Sequence, residues 1–295
     1  NKNGTVEAVQ IKKNTAGGQS EIHFDNATLR TASGANSTFF TGLEVAKILS
    51  GGLTMEATAD VTVGQLLSGT GSLIKTGASK ITLTAVNSYT GATTISAGNL
   101  TVAAGGSIAS STDYGIASGA TLDVSGITFT VANAQTLSCN SSSGTANITG
   151  AVKLNTGAFY SSPANGTSDT VGKIAVVGNL TLNNNTIVVN VTGGTLSAGT
   201  YPVLTYTGTK SGSFNAVPNI TGSGLASGLT AQITQTAGTI SLNVTTPAET
   251  NTIFRVMSYN IHWALGPDGN VNTDRIANYI LNNDIDLVGF NEVAR

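Results

Sequence analysis

Three runs decide the fold: Ser68-Gly69-Thr70-Gly71-Ser72-Leu73-Ile74-Lys75-Thr76-Gly77, then Ile81-Thr82-Leu83-Thr84, then Asn87-Ser88-Tyr89-Thr90-Gly91-Ala92-Thr93-Thr94-Ile95-Ser96-Ala97-Gly98-Asn99-Leu100-Thr101-Val102. Ile81 to Thr84 alternates apolar and hydroxyl side chains, the period-2 mark of a half-buried strand. Gly and Asn stand between such runs, where the chain must turn. Strand and turn then repeat outward in both directions. Gly52-Leu53-Thr54-Met55, Gly98-Asn99-Leu100-Thr101-Val102 and Gly178-Asn179-Leu180-Thr181-Leu182 share one phrase, with Gly119-Ala120-Thr121-Leu122-Asp123-Val124 as a variant. Ile127-Thr128-Phe129-Thr130-Val131 and Ile187-Val188-Val189-Asn190-Val191 add further strand patterns. Before residue 250 only Leu43 to Leu49 reads as helical.

Many short, evenly spaced strands leave a sandwich, a propeller or a solenoid. The phrases recur without a matching series of Asn-Gly or Asp-Gly turns, which favours parallel coils over hairpins. In a parallel β-helix each coil stacks its apolar side chains on the next and satisfies its backbone there, so cohesion needs no ions. The composition agrees. Only 9% of the 295 residues are charged, and Gly numbers 36 against Pro 5. A β-branched carbon packs well on a pleated surface, which suits a Thr- and Val-rich chain.

The net charge of −2, with no Lys/Arg cluster, gives no basic face for nucleic acid. No run approaches the roughly 18 apolar residues of a membrane-spanning helix. The single Cys139 reads as a small buried hydrophobe. His23 stands alone and reads as a surface residue. The chain begins at Asn1 without an initiator Met or signal peptide, so it reads as a fragment.

The runs quoted first resemble the autotransporter-associated β-strand repeat, which carries the phrases GSGSLTKTG, LTLSG, NTYTGGTT and AGTLTV in the same order. That resemblance implies a right-handed parallel β-helix exported to the bacterial cell surface, extracellular or at the outer membrane. Lys80 departs from the family's usual Gly or Thr and is expected on a solvent face. We therefore expect a β-helix over residues 1–198.

From Gly199 the texture changes. Tyr201 to Tyr206 and Gly212-Ser213-Phe214 precede a hairpin pattern, Ala231 to Gln235 and Thr239 to Val244, turning at Ala237-Gly238. Residues 199–244 are expected to form an antiparallel β cap over the open solenoid end, which would otherwise be a sticky edge. Residues 245–251, Thr245-Thr246-Pro247-Ala248-Glu249-Thr250-Asn251, read as a linker.

Past the linker the charge density rises: eight charged residues in 251–295 against 20 in the preceding 250, and the only Trp, Trp263, is here. Ile253 to Ile261 reads as a buried strand. Asn272 or Thr273 can cap a helix with Ile276, Ala277, Ile280 and Leu281 on one face, closed by Asn282-Asn283. Ile285 to Val293 is a second strand. This β-α-β unit places Asn260 and Glu292 near two strand ends.

Phe254-Arg255-Val256-Met257-Ser258-Tyr259-Asn260-Ile261-His262 and Asp286-Leu287-Val288-Gly289-Phe290-Asn291-Glu292-Val293 resemble the first two motifs of the endonuclease/exonuclease/phosphatase family, with Asp274-Arg275-Ile276-Ala277 matching its helix start. Residues 252–295 are identified as the truncated start of such a domain. The resemblance implies Glu292 as a ligand of Mg²⁺ (or Mn²⁺), and Asn260 as the amide beside metal and scissile phosphate. Asn291 replaces the family's usual Gln with a shorter amide. The family's general-base His and its partnering Asp lie in motifs beyond Arg295, and one carboxylate with one amide cannot activate water. His262 is expected to pack in a loop.

Three functions compete. The solenoid is a passenger stalk displaying a domain that hydrolyses a phosphate ester; or it is an adhesin or structural β-helix, engaging a surface or polysaccharide ligand without catalysis; or it is itself a polysaccharide-cleaving enzyme. The last needs clustered charges, whereas Asp113, Asp123, Lys153 and Asp169 are scattered.

Overall fold

The computed structural model describes residues 4–14, 17–247, 255–260, 273–282, 285 and 287–291. The chain divides into two compact units, Asn1–Pro247 and Ala248–Arg295.

The first unit is a right-handed parallel β-solenoid of about 8 turns. Its first sheet stacks Thr5–Ala8, Ala27–Thr31, Leu53–Glu56, Leu73–Thr76, Thr93–Ile95, Asp113–Ile116, Thr136–Cys139, Phe159–Ser161 and Thr186–Thr192 in that order. Its second sheet runs alongside, from Ile11–Lys12 through Thr38–Thr41, Val61–Val63, Lys80–Leu83, Asn99–Val102, Thr121–Asp123 and Thr145–Thr149 to Lys173–Val177. Every neighbouring pair in these two series is parallel, so each coil donates its backbone to the next.

Alternation turns one side chain of each pair inward. In the first sheet Leu29, Met55, Lys75, Ile95, Ile116 and Cys139 form one buried column. Leu53, Leu73, Thr93, Tyr114, Leu137 and Tyr160 form the other. The second sheet answers with Val61, Ile81, Leu100, Leu122 and Ile148. Apolar area is thus removed from water continuously along the axis, at roughly 25 cal/mol per Å².

The third side is discontinuous. Glu21–Phe24, Val45–Ile48 and Ser68–Gly69 make one short sheet, and Phe129–Val131, Val152–Leu154, Leu180–Thr181 and Lys210–Ser211 make another. Between them the chain advances roughly 20–23 residues per coil, as from Leu73 to Thr93 and from Asp113 to Thr136. These coils complete two strands and their corners but not a third. Single bonds such as Ser88 N–H to Leu67 O and the isolated bridge Val86–Ser107 take its place. The third sheet returns where Phe129–Val131 pairs with Val152–Leu154, 23 residues on, and the interval reaches 30 between Leu180 and Lys210.

Leu43 to Leu49 is a correction. The helical reading fails, because Ala46 and Ile48 both turn into the core and Val45–Ile48 pairs in parallel with Glu21–Phe24. Stacking between coils overrides local propensity there. Parallel pairing also continues past residue 198: Gly199–Tyr206 pairs with Lys173–Val177, and Asn219–Gly222 with Thr186–Thr192. A longer antiparallel pairing follows. Thr239–Thr245 lies along Gly199–Tyr206, and Thr230–Thr236 along Thr239–Thr245, turning at Gly238 with φ +76°. The sequence's Asn165-Gly166 makes a small antiparallel excursion, Ala164–Asn165 with Thr170–Val171.

The second unit contains Val256–Asn260, a helix over Thr273–Asn282 and Leu287–Asn291, the two strands being parallel. Asp274 lies in the helix's first turn, where a carboxylate complements the dipole. The expected apolar helix face is only partly covered: Ile280 is half-buried, whereas Ala277 is exposed and Leu281 is 74% exposed.

Candidate functional site

In the second unit the paired strands bring Asn260 opposite Asn291 at the last register position. Glu292 follows Asn291 in the sequence but lies outside the described residues, as does His262. The structure therefore pairs the strand of the first run with that of the second.

On the solenoid the scattered acids stay apart. Asp123 Oδ1 accepts from the Ser125 N–H and hydroxyl, and Asp169 Oδ1 accepts from Ser197 N–H. Asp113 sits opposite Thr136, and Lys153 between Thr130 and Thr181. Among the described residues no three His, Cys, Asp or Glu side chains stand close enough to hold a metal. Ion pairs instead run from coil to coil. Arg30 lies 2.9 Å from Glu56 and 3.7 Å from Glu7, its neighbours on either side. Lys13 pairs with Glu44, and bonds from Lys13 and Ser20 hold the Glu44 carboxyl down to about 2. Lys80 lies on the solvent face as expected, 3.9 Å from Asp60.

The more informative polar groups are inside. Asn87 accepts from Leu67 N–H at 3.0 Å and donates to Ala85 O and Ser107 O, bracing three coils at one corner. Asn185 braces another corner through Asn155 O and Ala158 O. Thr93 Oγ1 lies 2.7 Å from the Tyr89 hydroxyl and 2.6 Å from that of Ser111. Each such bond satisfies a group that would cost roughly 1–3 kcal/mol if left unpaired in the core. Cys139 is buried, and desolvation raises its thiol pKa.

Lys75 is the unexpected member. Its side chain is 1% exposed, in the column between Met55 and Ile95. Its Nζ donates to Thr76 O at 2.8 Å, Gly77 O at 2.8 Å and Ala97 O at 3.0 Å. The sequence carried a signal for this: Leu73 and Lys75 are two apart, so a strand that buries one buries the other.

This lysine and the bracing residues Asn87, Tyr89 and Thr93 fall within one segment. Residues 73–102 match the family model of the passenger-associated-transport-repeat. A parallel solenoid carrying this repeat fits an autotransporter passenger, secreted or at the cell surface. A search of curated proteins finds no match to the chain. Among the described residues no helix is long and apolar enough to cross a membrane.

Within the repeat, burial pulls Lys75 down from 10.5 to about 8, with Asp60 acting in the opposite direction. A depressed lysine pKa means that, between about pH 8 and 10.5, the unfolded chain holds the extra proton. Unfolding free energy therefore rises with pH in that window. Above pH 10 the trend reverses, because tyrosines in the unfolded chain ionise there while desolvation keeps Tyr89 protonated to about 12. The buried Cys139 thiol, raised by desolvation, opposes this as unfolded thiols ionise, so the Lys75 contribution of about 1–3 kcal/mol from pH 7.5 to 9.5 is read as the difference between wild type and Lys75→Met. Lys75→Met should flatten that slope. An equal slope in the variant would remove Lys75 as its source.

Proposed function

We propose that this chain is the stalk of a secreted or surface-exposed autotransporter passenger, and that residues 252–295 begin a metal-dependent phosphoesterase domain that the stalk presents. The match of residues 73–102 to the repeat, on a solenoid whose coils stack through that segment, carries the first half of this reading. The two family-like motifs on parallel strands, with Asn260 opposite Asn291, support the second. The antiparallel strands over 230–245 serve in this reading as the cap that blunts a sheet edge.

In the phosphoesterase reading Glu292 holds Mg²⁺ or Mn²⁺, and Asn260 orients the phosphate ester. A hard cation of this kind takes oxygen ligands and keeps several waters. One carboxylate and one amide do not amount to a catalytic metal site, so the chain by itself should be inert. The stalk reading is tested by adding an antibody against the solenoid to intact cells making the parent protein. Binding should occur without lysis, and binding only after lysis would overturn it. The inertness is tested with phosphomonoester and phosphodiester substrates in Mg²⁺, where background turnover is expected. Turnover abolished by Glu292→Ala would show a working site in this chain.

A further inference from the structure

The inward column Leu29, Met55, Lys75, Ile95, Ile116, Cys139 is apolar except at Lys75, which is also the only charged residue buried among the described residues. No carboxylate contacts its ammonium; Asp60 acts only through space, from an exposed position. Its three N–H donors are instead all taken by main-chain carbonyls. Two of those, Thr76 and Gly77, belong to the lysine's own coil, and Ala97 belongs to the next.

The corner explains why carbonyls converge. Gly77 and Gly98 both turn with positive φ, +75° and +68°, and they stack so closely that a Cβ on Gly98 would lie 2.5 Å from Gly77 O. Successive corners thus aim oxygens at one point inside the solenoid. Such a cluster of partial negative charge is unfavourable unless a cation or several donors meet it.

We propose that the carbonyls of Thr76, Gly77 and Ala97 form a monovalent-cation site, which the chain fills with its own Lys75 ammonium and so clamps one coil to the next. The ligands are neutral, so they match a large, weakly hydrated cation. Carbonyl rings replace the hydration shell of K⁺ in the same manner. The site's chemistry is therefore that of ammonium, methylammonium or K⁺.

The test is thermal unfolding of the full chain, followed by β-sheet circular dichroism, in chloride salts of different cations at one ionic strength. Wild-type protein should melt alike in all of them. Lys75→Ala, which empties the stem space and the cage, should melt about 5–10 °C lower in Na⁺. Methylammonium or K⁺ should restore a saturable part of that loss. Lys75→Met fills the stem space with an apolar side chain and should be destabilised without recovery in any salt. The proposal fails if Lys75→Ala melts identically in every cation, or if Lys75→Met matches wild type at pH 7. If Lys75→Ala does not fold, hydrogen exchange at the wild-type Lys75 Nζ decides. Slow exchange supports a caged ammonium, and exchange at the rate of a free lysine overturns it.

Discussion

Gly77→Ala is expected to destabilise the solenoid by about 3–5 kcal/mol, whereas Gly105→Ala should cost only about 1 kcal/mol. Both glycines have positive φ, +75° and +85°, so the backbone penalty for an L side chain is shared. They differ in what a Cβ would meet. At Gly105 nothing lies within 4 Å, but at Gly77 the new carbon would stand 2.2 Å from Ala57 O, the corner of the preceding coil. Moving one corner displaces the next, because Gly98 stacks on Gly77 in turn. The comparison separates backbone strain from coil-to-coil contact, and guanidinium denaturation of the two variants measures it. Equal losses would mean that corner stacking contributes little.

The stacking of corners also marks the limit of what the sequence made legible. Alternation in runs such as Ile81 to Thr84 was enough to foresee strands, and the recurrence of one phrase was enough to foresee parallel coils. Which face each phrase occupies was hidden. Leu53 lies in the first sheet, Leu100 in the second and Leu180 in the third, although all three follow the same glycine-led pattern. The phrase encodes a corner and an ensuing strand. The face is set by which strand of the coil beneath the phrase pairs with, and the phrase itself does not encode that partner. Asn260 was read near a strand end, and it is the last described residue of the strand Val256–Asn260. Lys75 was missed because a lysine in a strand pattern is normally given to solvent. Only the carbonyls of Thr76 and Gly77 in its own coil and of Ala97 in the next make its burial tolerable.

Tyr160→Ala should lower unfolding free energy by about 3–5 kcal/mol, while Phe159→Ala, one residue earlier in the same strand, should change it by less than about 1 kcal/mol. Hydrophobicity alone predicts the reverse order, since Phe is the more apolar ring. Register decides instead. Phe159 aligns with Thr136 and Thr186 on the outer row and is 42% exposed. Tyr160 aligns with Leu137 and Ile187 on the inner row and is fully buried. Its ring lies 5.7 Å from that of Phe214, and its hydroxyl donates to Val203 O at 2.6 Å. Truncation would open a cavity and leave that carbonyl unmatched. Tyr160→Phe removes only the hydroxyl and should cost about 1–2 kcal/mol. Graded losses in the order Ala, then Phe, with Phe159→Ala near neutral, would fix the register of this coil by measurement. A large loss from Phe159→Ala instead would place the strand one residue out of register, which turns every side chain to the opposite face.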